Sequence, residues 1–209
     1  MITLRPAALT DHCAIANLHA HNWRLNYRGI LSDRYLDYEV ENERLENWHK
    51  RLKNTTPGEL VTVAEYENEL VGFCSLIINE DPVFGSYIDN LHVSSTQQKL
   101  GVGKMMMRHA ATTVAERADT HKMYLWVYEA NANARSAYEK VGVTNFETLD
   151  LANVDGTRSP TCRYTWDDIS TLLCQPRHPN TRELRVSPKG CGESQTPYLM
   201  FIQRQSNAD

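Results

Sequence analysis

Apolar and polar residues alternate over Ile2-Thr3-Leu4-Arg5, which predicts a short strand that Pro6 stops. The next apolar positions, Ile15, Leu18 and Trp23, follow Asp11, a good N-cap, and predict an amphipathic helix over about Asp11–Trp23. A second helical stretch, broken in its middle, is predicted over about Ser32–Leu52. Leu45, Trp48 and Leu52, at i, i+3 and i+7, form its expected inner face.

Thr55-Thr56-Pro57-Gly58 is turn chemistry, and beyond it the pattern becomes extended. Leu60–Tyr66 and Glu69–Asn79 are rich in β-branched and aromatic residues and read as a hairpin through Glu67-Asn68. Ser86–Val93 is the next strand, and Lys104–Ala118 the next helix, with three methionines as core filler. Met123–Tyr128 is a compact apolar strand. Asn131–Val141 reads as a helix capped by Gly142, with Arg135 and Glu139 paired on its outer face. Phe146–Leu151 and Thr161–Trp166 close the pattern through a turn at Asp155-Gly156. Helices between strands imply that part of the sheet is parallel, while the hairpins make other parts antiparallel, so the expected fold is α/β with an α+β mixed sheet.

Composition shifts after about Leu173. The stretch 175–209 holds four of the eight prolines with little periodicity, so the expected division is a domain over 1–173 and a mostly irregular extension over 174–209. Tyr198-Leu199-Met200-Phe201-Ile202 is apolar enough to add a strand or dock on a patch.

The stretch Ile88–Met107 carries the first chemistry: a strand, a polar loop, then Gln98-Lys99-Leu100-Gly101-Val102-Gly103 opening a helix. Glycines at i and i+2 let a ligand approach the backbone, and the first N–H groups of a helix have no partner within it. Together they suit a pyrophosphate, with Lys99 and Lys104 adding positive charge. A dinucleotide fingerprint would need a third glycine at position 106, which is Met, and, about 20 residues on, a strand ending in Asp or Glu for the ribose, and no such strand follows.

With 22 Lys+Arg against 26 Asp+Glu, the net charge of −4 offers no general attraction for nucleic acid. No apolar run is long enough to span a bilayer, and Arg5 and Pro6 interrupt the place of a secretion signal, so a cytoplasmic protein is expected. Five cysteines, an odd number without a C-x-x-C pair, argue against a disulfide framework or a thiolate zinc site. His19 and His21 would point about 200° apart on a helix and cannot share an ion, so no metal is expected.

Two motifs together resemble the GNAT superfamily of acyl-CoA-dependent N-acetyltransferases over roughly residues 2–166. Gln98-x-x-Gly101-x-Gly103 is similar to its Q/R-x-x-G-x-G/A loop. About thirty residues later, Asn131-x-x-Ala134-x-x-x-Tyr138-x-x-x-Gly142-Val143 is similar to its N-x-x-A-x-x-x-Y-x-x-x-G-F helix, with Val143 where Phe is usual. The run Trp23-Arg24-x-x-Tyr27-Arg28-Gly29-Ile30-Leu31 is similar to a phrase of small bacterial members.

The resemblance implies a sheet of about six to seven strands, splayed between Ile88–Val93 and Met123–Tyr128 to admit acetyl-CoA as cosubstrate, with no metal. The partners implied are acetyl-CoA and an amine acceptor, in a monomer or homodimer that binds neither nucleic acid nor membrane. The pantetheine arm and the oxyanion would meet the backbone of Leu91, His92 and Val93. The pyrophosphate would meet Gln98, Lys99, Leu100, Gly101, Val102, Gly103 and Lys104. Asn131 reads equally as a hydrogen-bond partner of the pantetheine or a plain N-cap. Tyr138 is the expected acid for the leaving thiolate, and a phenol of pKa ~10 can protonate a thiolate whose acid has pKa ~8.5.

Asp89, His92 and Glu129 are candidates for the base, with Asp89 and His92 on opposite strand faces by alternation. Trp23 and Tyr27 are candidates for the acceptor site. The expected activity is acetyl transfer to a primary amine of a small molecule or peptide. The alternatives are a CoA-binding module without turnover and a nucleotide-binding protein.

Overall fold

The computed structural model describes residues 1–97 and 101–174 and the backbone of 181–183. Its elements are β1 (Ile2–Pro6), α1 (His12–Asn26), α2 (Asp33–Tyr38), α3 (Val40–Lys53), β2 (Glu59–Tyr66), β3 (Glu69–Asp81), β4 (Gly85–Val93), α4 (Val102–Arg117), β5 (Met123–Tyr128), α5 (Ala132–Glu139), β6 (Thr144–Ala152), β7 (Arg158–Trp166), α6 (Ser170–Leu173) and β8 (Thr181–Glu183). The strands form one sheet in the order β6-β7-β5-β4-β3-β2-β1-β8. Pairing is antiparallel except for β4 with β5 and β1 with the three-residue β8, so the sheet is mixed, as expected. β8 falls in the stretch read as irregular, and Tyr198–Ile202 lies outside the described residues.

The two sheet faces are covered differently. α4 lays Val102, Met105, Met106, Ala110 and Val114 against Leu4, Cys74, Leu76, Ile88, Leu125 and Val127, so its methionines are core. Val143 is buried in the same core. On the opposite face α1 and α3 enclose Ile15, Trp48, Leu52, Val63 and Phe73. Glu67 and Asn68, both with positive φ, make the tight β2–β3 turn.

Two sequence expectations change here. The inner face of α3 is Val40, Arg44, Trp48 and Leu52, while Leu45 is 36% exposed. Arg44 can be buried because its guanidinium lies 4.6 Å from the Trp23 ring and pairs with Glu43. Arg135 and Glu139 do not pair directly, because both meet the Tyr164 hydroxyl: Arg135 Nε donates to it at 3.2 Å, and it donates to Glu139 Oε1 at 2.6 Å. That bridge ties α5 to β7. No helix among the described residues is long and apolar enough to cross a membrane.

Candidate active site

β4 and β5 start together and then separate. Ser86, Tyr87 and Ile88 pair with Met123, Tyr124 and Leu125, after which β4 runs on to Val93 and β5 to Tyr128 with no pairing between them. Each strand stays paired on its other edge, β4 with β3 and β5 with β7. Backbone groups along the inner edges of the gap are thus left for another partner, since unpaired buried peptide groups are costly. The closed end is pinned by Ser86 N–H donating to the Lys122 carbonyl at 3.1 Å. Gly85 has φ +82, and a Cβ there would collide with the Lys122 carbonyl, so only glycine allows the strands to come this close.

The gap opens into a cavity of about 1300 Å³ that reaches both faces of the sheet. On the α4 side, Gly101 caps the helix in the left-handed conformation, φ +81. The N–H groups of Val102, Gly103 and Lys104 precede the first α4 hydrogen bond, Met105 N–H to the Gly101 carbonyl at 2.9 Å, and so remain open. A Cβ at Gly103 would meet only Val93 at 3.7 Å, so the protein itself does not demand glycine there. A ligand pressed against the backbone would. Gln98, Lys99 and Leu100 lie outside the described residues.

Asn131 Oδ1 accepts from Ala134 N–H at 3.2 Å, the N-cap geometry, while its side chain also lines the cavity. Tyr138 lines the cavity as well, packed against the core. Burial, with a smaller contribution from Cys74, raises its hydroxyl well above the ordinary tyrosine range. Tyr27, just past the end of α1, lies near it, with its ring 4.9 Å from Tyr128 and its own hydroxyl raised by burial, Tyr128 and Tyr138. Trp23 lies beside Tyr27, ring centroids 5.5 Å apart. Asn22, in the same helix turn, donates from Nδ2 to the Val93 carbonyl at 3.1 Å and fixes the open end of β4.

Leu91 and Val93 pack against the α4 core, whereas His92 turns toward α1 and α3. Alternation would send Asp89 the other way, and the structure corrects this. Ser75 pairs with Asn90 but Leu76 pairs with Ile88, so Asp89 is the extra residue of a β-bulge. Both side chains therefore reach the face of α1 and α3: Asp89 Oδ2 binds Arg51 Nη1 at 2.6 Å, and the His92 ring lies 4.4 Å from His19 and 5.1 Å from Phe73.

Burial, aided by Arg44, pushes His92 down to about 3, which makes it a neutral imidazole and a poor proton sink. Glu129 is exposed and lines a separate small cavity behind Tyr128, with Gly29 and Pro160. Unlike Asp89 and His92, it is not brought to the gap.

Glu80 and the ring pair Tyr87–Tyr124 line the cavity on the same face as Asp89 and escaped the sequence reading. Alternation along β3 gives no signal for Glu80, because Asn79 takes positive φ (+52) and breaks the pleat just before it. On the far side, the Asp155 turn closes over the helices: Ser32 N–H donates to Asp155 Oδ2 at 2.6 Å. Among the described residues, no group of three or more His, Cys, Asp or Glu is arranged to hold a metal.

The acetyltransferase (GNAT) family model matches residues 17–143. The uncharacterized N-acetyltransferase YuaI of Bacillus subtilis is 29% identical over 180 residues, 82% of this chain and 96% of that protein. A protein of Mycobacterium tuberculosis, itself named a probable N-acetyltransferase, is 30% identical over 195 residues, 90% of this chain and 97% of its own length. Among solved structures, the PaiA N-acetyltransferase of Thermoplasma acidophilum, in complex with coenzyme A, superposes with TM-score 0.64 at 18% identity, covering 79% of this chain and 98% of that one.

Proposed function

Since the chain belongs to the acetyltransferase (GNAT) family, we propose that it moves an acetyl group from acetyl-CoA directly to a primary amine. The observation that carries this reading is the loss of pairing between β4 and β5 beyond Ile88 and Leu125, in a cavity that Tyr138 lines. The coenzyme A bound to a structural relative supports the same ligand class for this slot.

Acetyl-CoA supplies an activated thioester carbonyl. In this reading the open N–H groups of Val102, Gly103 and Lys104 hold the pyrophosphate, and the β4 edge over Leu91–Val93, which β5 leaves unpaired and where Asn22 already takes the Val93 carbonyl, holds the pantetheine in strand-like fashion. A backbone N–H of that edge meets the negative charge that grows on the thioester oxygen. The amine lone pair forms the new C–N bond while the C–S pair leaves on sulfur. Tyr138 gives its proton to that sulfur, and the proton shed by the amine leaves on the acceptor side, where Asp89 is the better placed of the carboxylate candidates. Burial keeps Tyr138 protonated across the working pH range, and because it also weakens the phenol as an acid, the proton moves only as the departing sulfur takes up the C–S electron pair.

The test is release of CoA thiol from acetyl-CoA with an amine panel, with the acetylated product identified by mass spectrometry. Wild type is expected to show amine-dependent release, and Tyr138→Phe to lose about tenfold or more in kcat while retaining its affinity for acetyl-CoA. An unchanged rate in the variant removes Tyr138 from the mechanism. Absence of release in wild type that binds acetyl-CoA leaves a CoA-binding module without turnover.

A further inference from the structure

The cavity wall on the face of α1 and α3 has a charge imbalance. Tyr87 and Tyr124 stack there with ring centroids 4.8 Å apart, flanked by Asp89 and Glu80. Asp89 is bound to Arg51, but Arg51 also binds Glu59, so one guanidinium serves two carboxylates. Glu80 accepts the neutral hydroxyl of Tyr124, and no ion pair involves Glu80 among the described residues.

Arg163 also lines the cavity but is already engaged. Its Nη2 binds Glu147 at 3.0 Å, its guanidinium carbon lies 4.1 Å from the Phe84 ring, 4.5 Å from the Trp126 ring and, at the longest range, 5.8 Å from the Tyr124 ring, and its Nε is buried. Farther out, Arg158 is paired with Asp150. Each arginine on this wall already has a carboxylate partner, and the surplus charge is negative.

The amine that attacks must be neutral when it does so, and its own charge cannot balance those carboxylates at that moment. A second nitrogen that stays protonated can. Aromatic faces beside carboxylates are the surroundings that favour an ammonium group. We propose that the acceptor carries, besides the reacting amine, a second nitrogen that stays cationic, as in diamines and polyamines, and that Glu80 with the Tyr87–Tyr124 pair holds it. This inference rests on the acetyl-transfer reading above and names the substrate class of the same site.

The experiment compares kcat/KM, at saturating acetyl-CoA, for a straight-chain diamine, the monoamine of equal length and the ω-amino acid of equal length. The diamine is expected to exceed both by about tenfold or more. Glu80→Gln should bring the ratio of diamine to monoamine toward one, chiefly through KM, while acetyl-CoA still raises the variant's unfolding temperature. A monoamine or ω-amino acid that matches the diamine overturns the inference, as does a Glu80→Gln enzyme that keeps its full preference. If the variant does not fold, the wild-type ranking decides alone. Failure to bind acetyl-CoA, or binding it with turnover of no amine at all, would instead sink the reading beneath, whereas turnover of the monoamine or ω-amino acid without the diamine overturns the inference itself.

Discussion

His19 and His92 show how single residues set the behaviour of this site with pH. Trp48 Nε1 donates to His19 Nδ1 at 3.0 Å, which leaves the His19 proton on Nε2, buried and without an acceptor. Burial, with smaller contributions from His92 and two arginines, holds His19 well below its ordinary pKa, and His92 is pushed down to about 3. Both are neutral in the folded state and free to take a proton when unfolded. Their stabilisation is therefore complete above the unfolded value of about 6.5 and is lost as pH falls below it toward the folded values. The urea midpoint should fall as pH is lowered from 7 to 5, and His92→Gln should flatten that dependence. A midpoint constant over this range in wild type would show that neither imidazole is held neutral by the fold.

At the scale of elements, the joint start of β4 and β5 makes the gap. Any side chain at Gly85 needs both a left-handed backbone and the space of the Lys122 carbonyl. Gly85→Ala should cost about 2 kcal/mol or more in stability and weaken acetyl-CoA affinity by displacing the closed end of the gap. Chemical denaturation and calorimetry measure the two effects. Full stability in Gly85→Ala would mean that the strand ends are not held as described.

The elements themselves were legible because their periodicities are clean: the alternation of β1, the apolar run of β5 and the turn residues between β2 and β3 all sit where their physics requires. The Asp89 bulge was not legible. One residue inserted in a strand reverses every later side chain without altering the local pattern, and only the register against β3 reveals it. The buried Arg44 was hidden for a similar reason, since its burial depends on Trp23, a partner from another helix.

In the whole molecule, the sheet separates the two halves of the proposed reaction. Gly101–Lys104, Asn131 and Tyr138 face the cavity from the side of α4 and α5, and Glu80, Asp89, Trp23 and Tyr27 from the side of α1 and α3. The first set came from two local motifs and could be read from the chain. The second is assembled from α1, β3 and β4, with α3 supplying the Arg51 that binds Asp89. Trp23, Tyr27 and Asp89 could be named from the chain, but no local spacing joins them to Glu80 or the Tyr87–Tyr124 pair, which emerged only from the folded arrangement.

The central claim is that the gap between β4 and β5 is a site for acetyl-CoA, and calorimetric titration of the wild-type protein tests it most directly. Saturable one-to-one binding of acetyl-CoA, with none of NAD, is the predicted result. Binding of NAD without binding of acetyl-CoA would contradict the account.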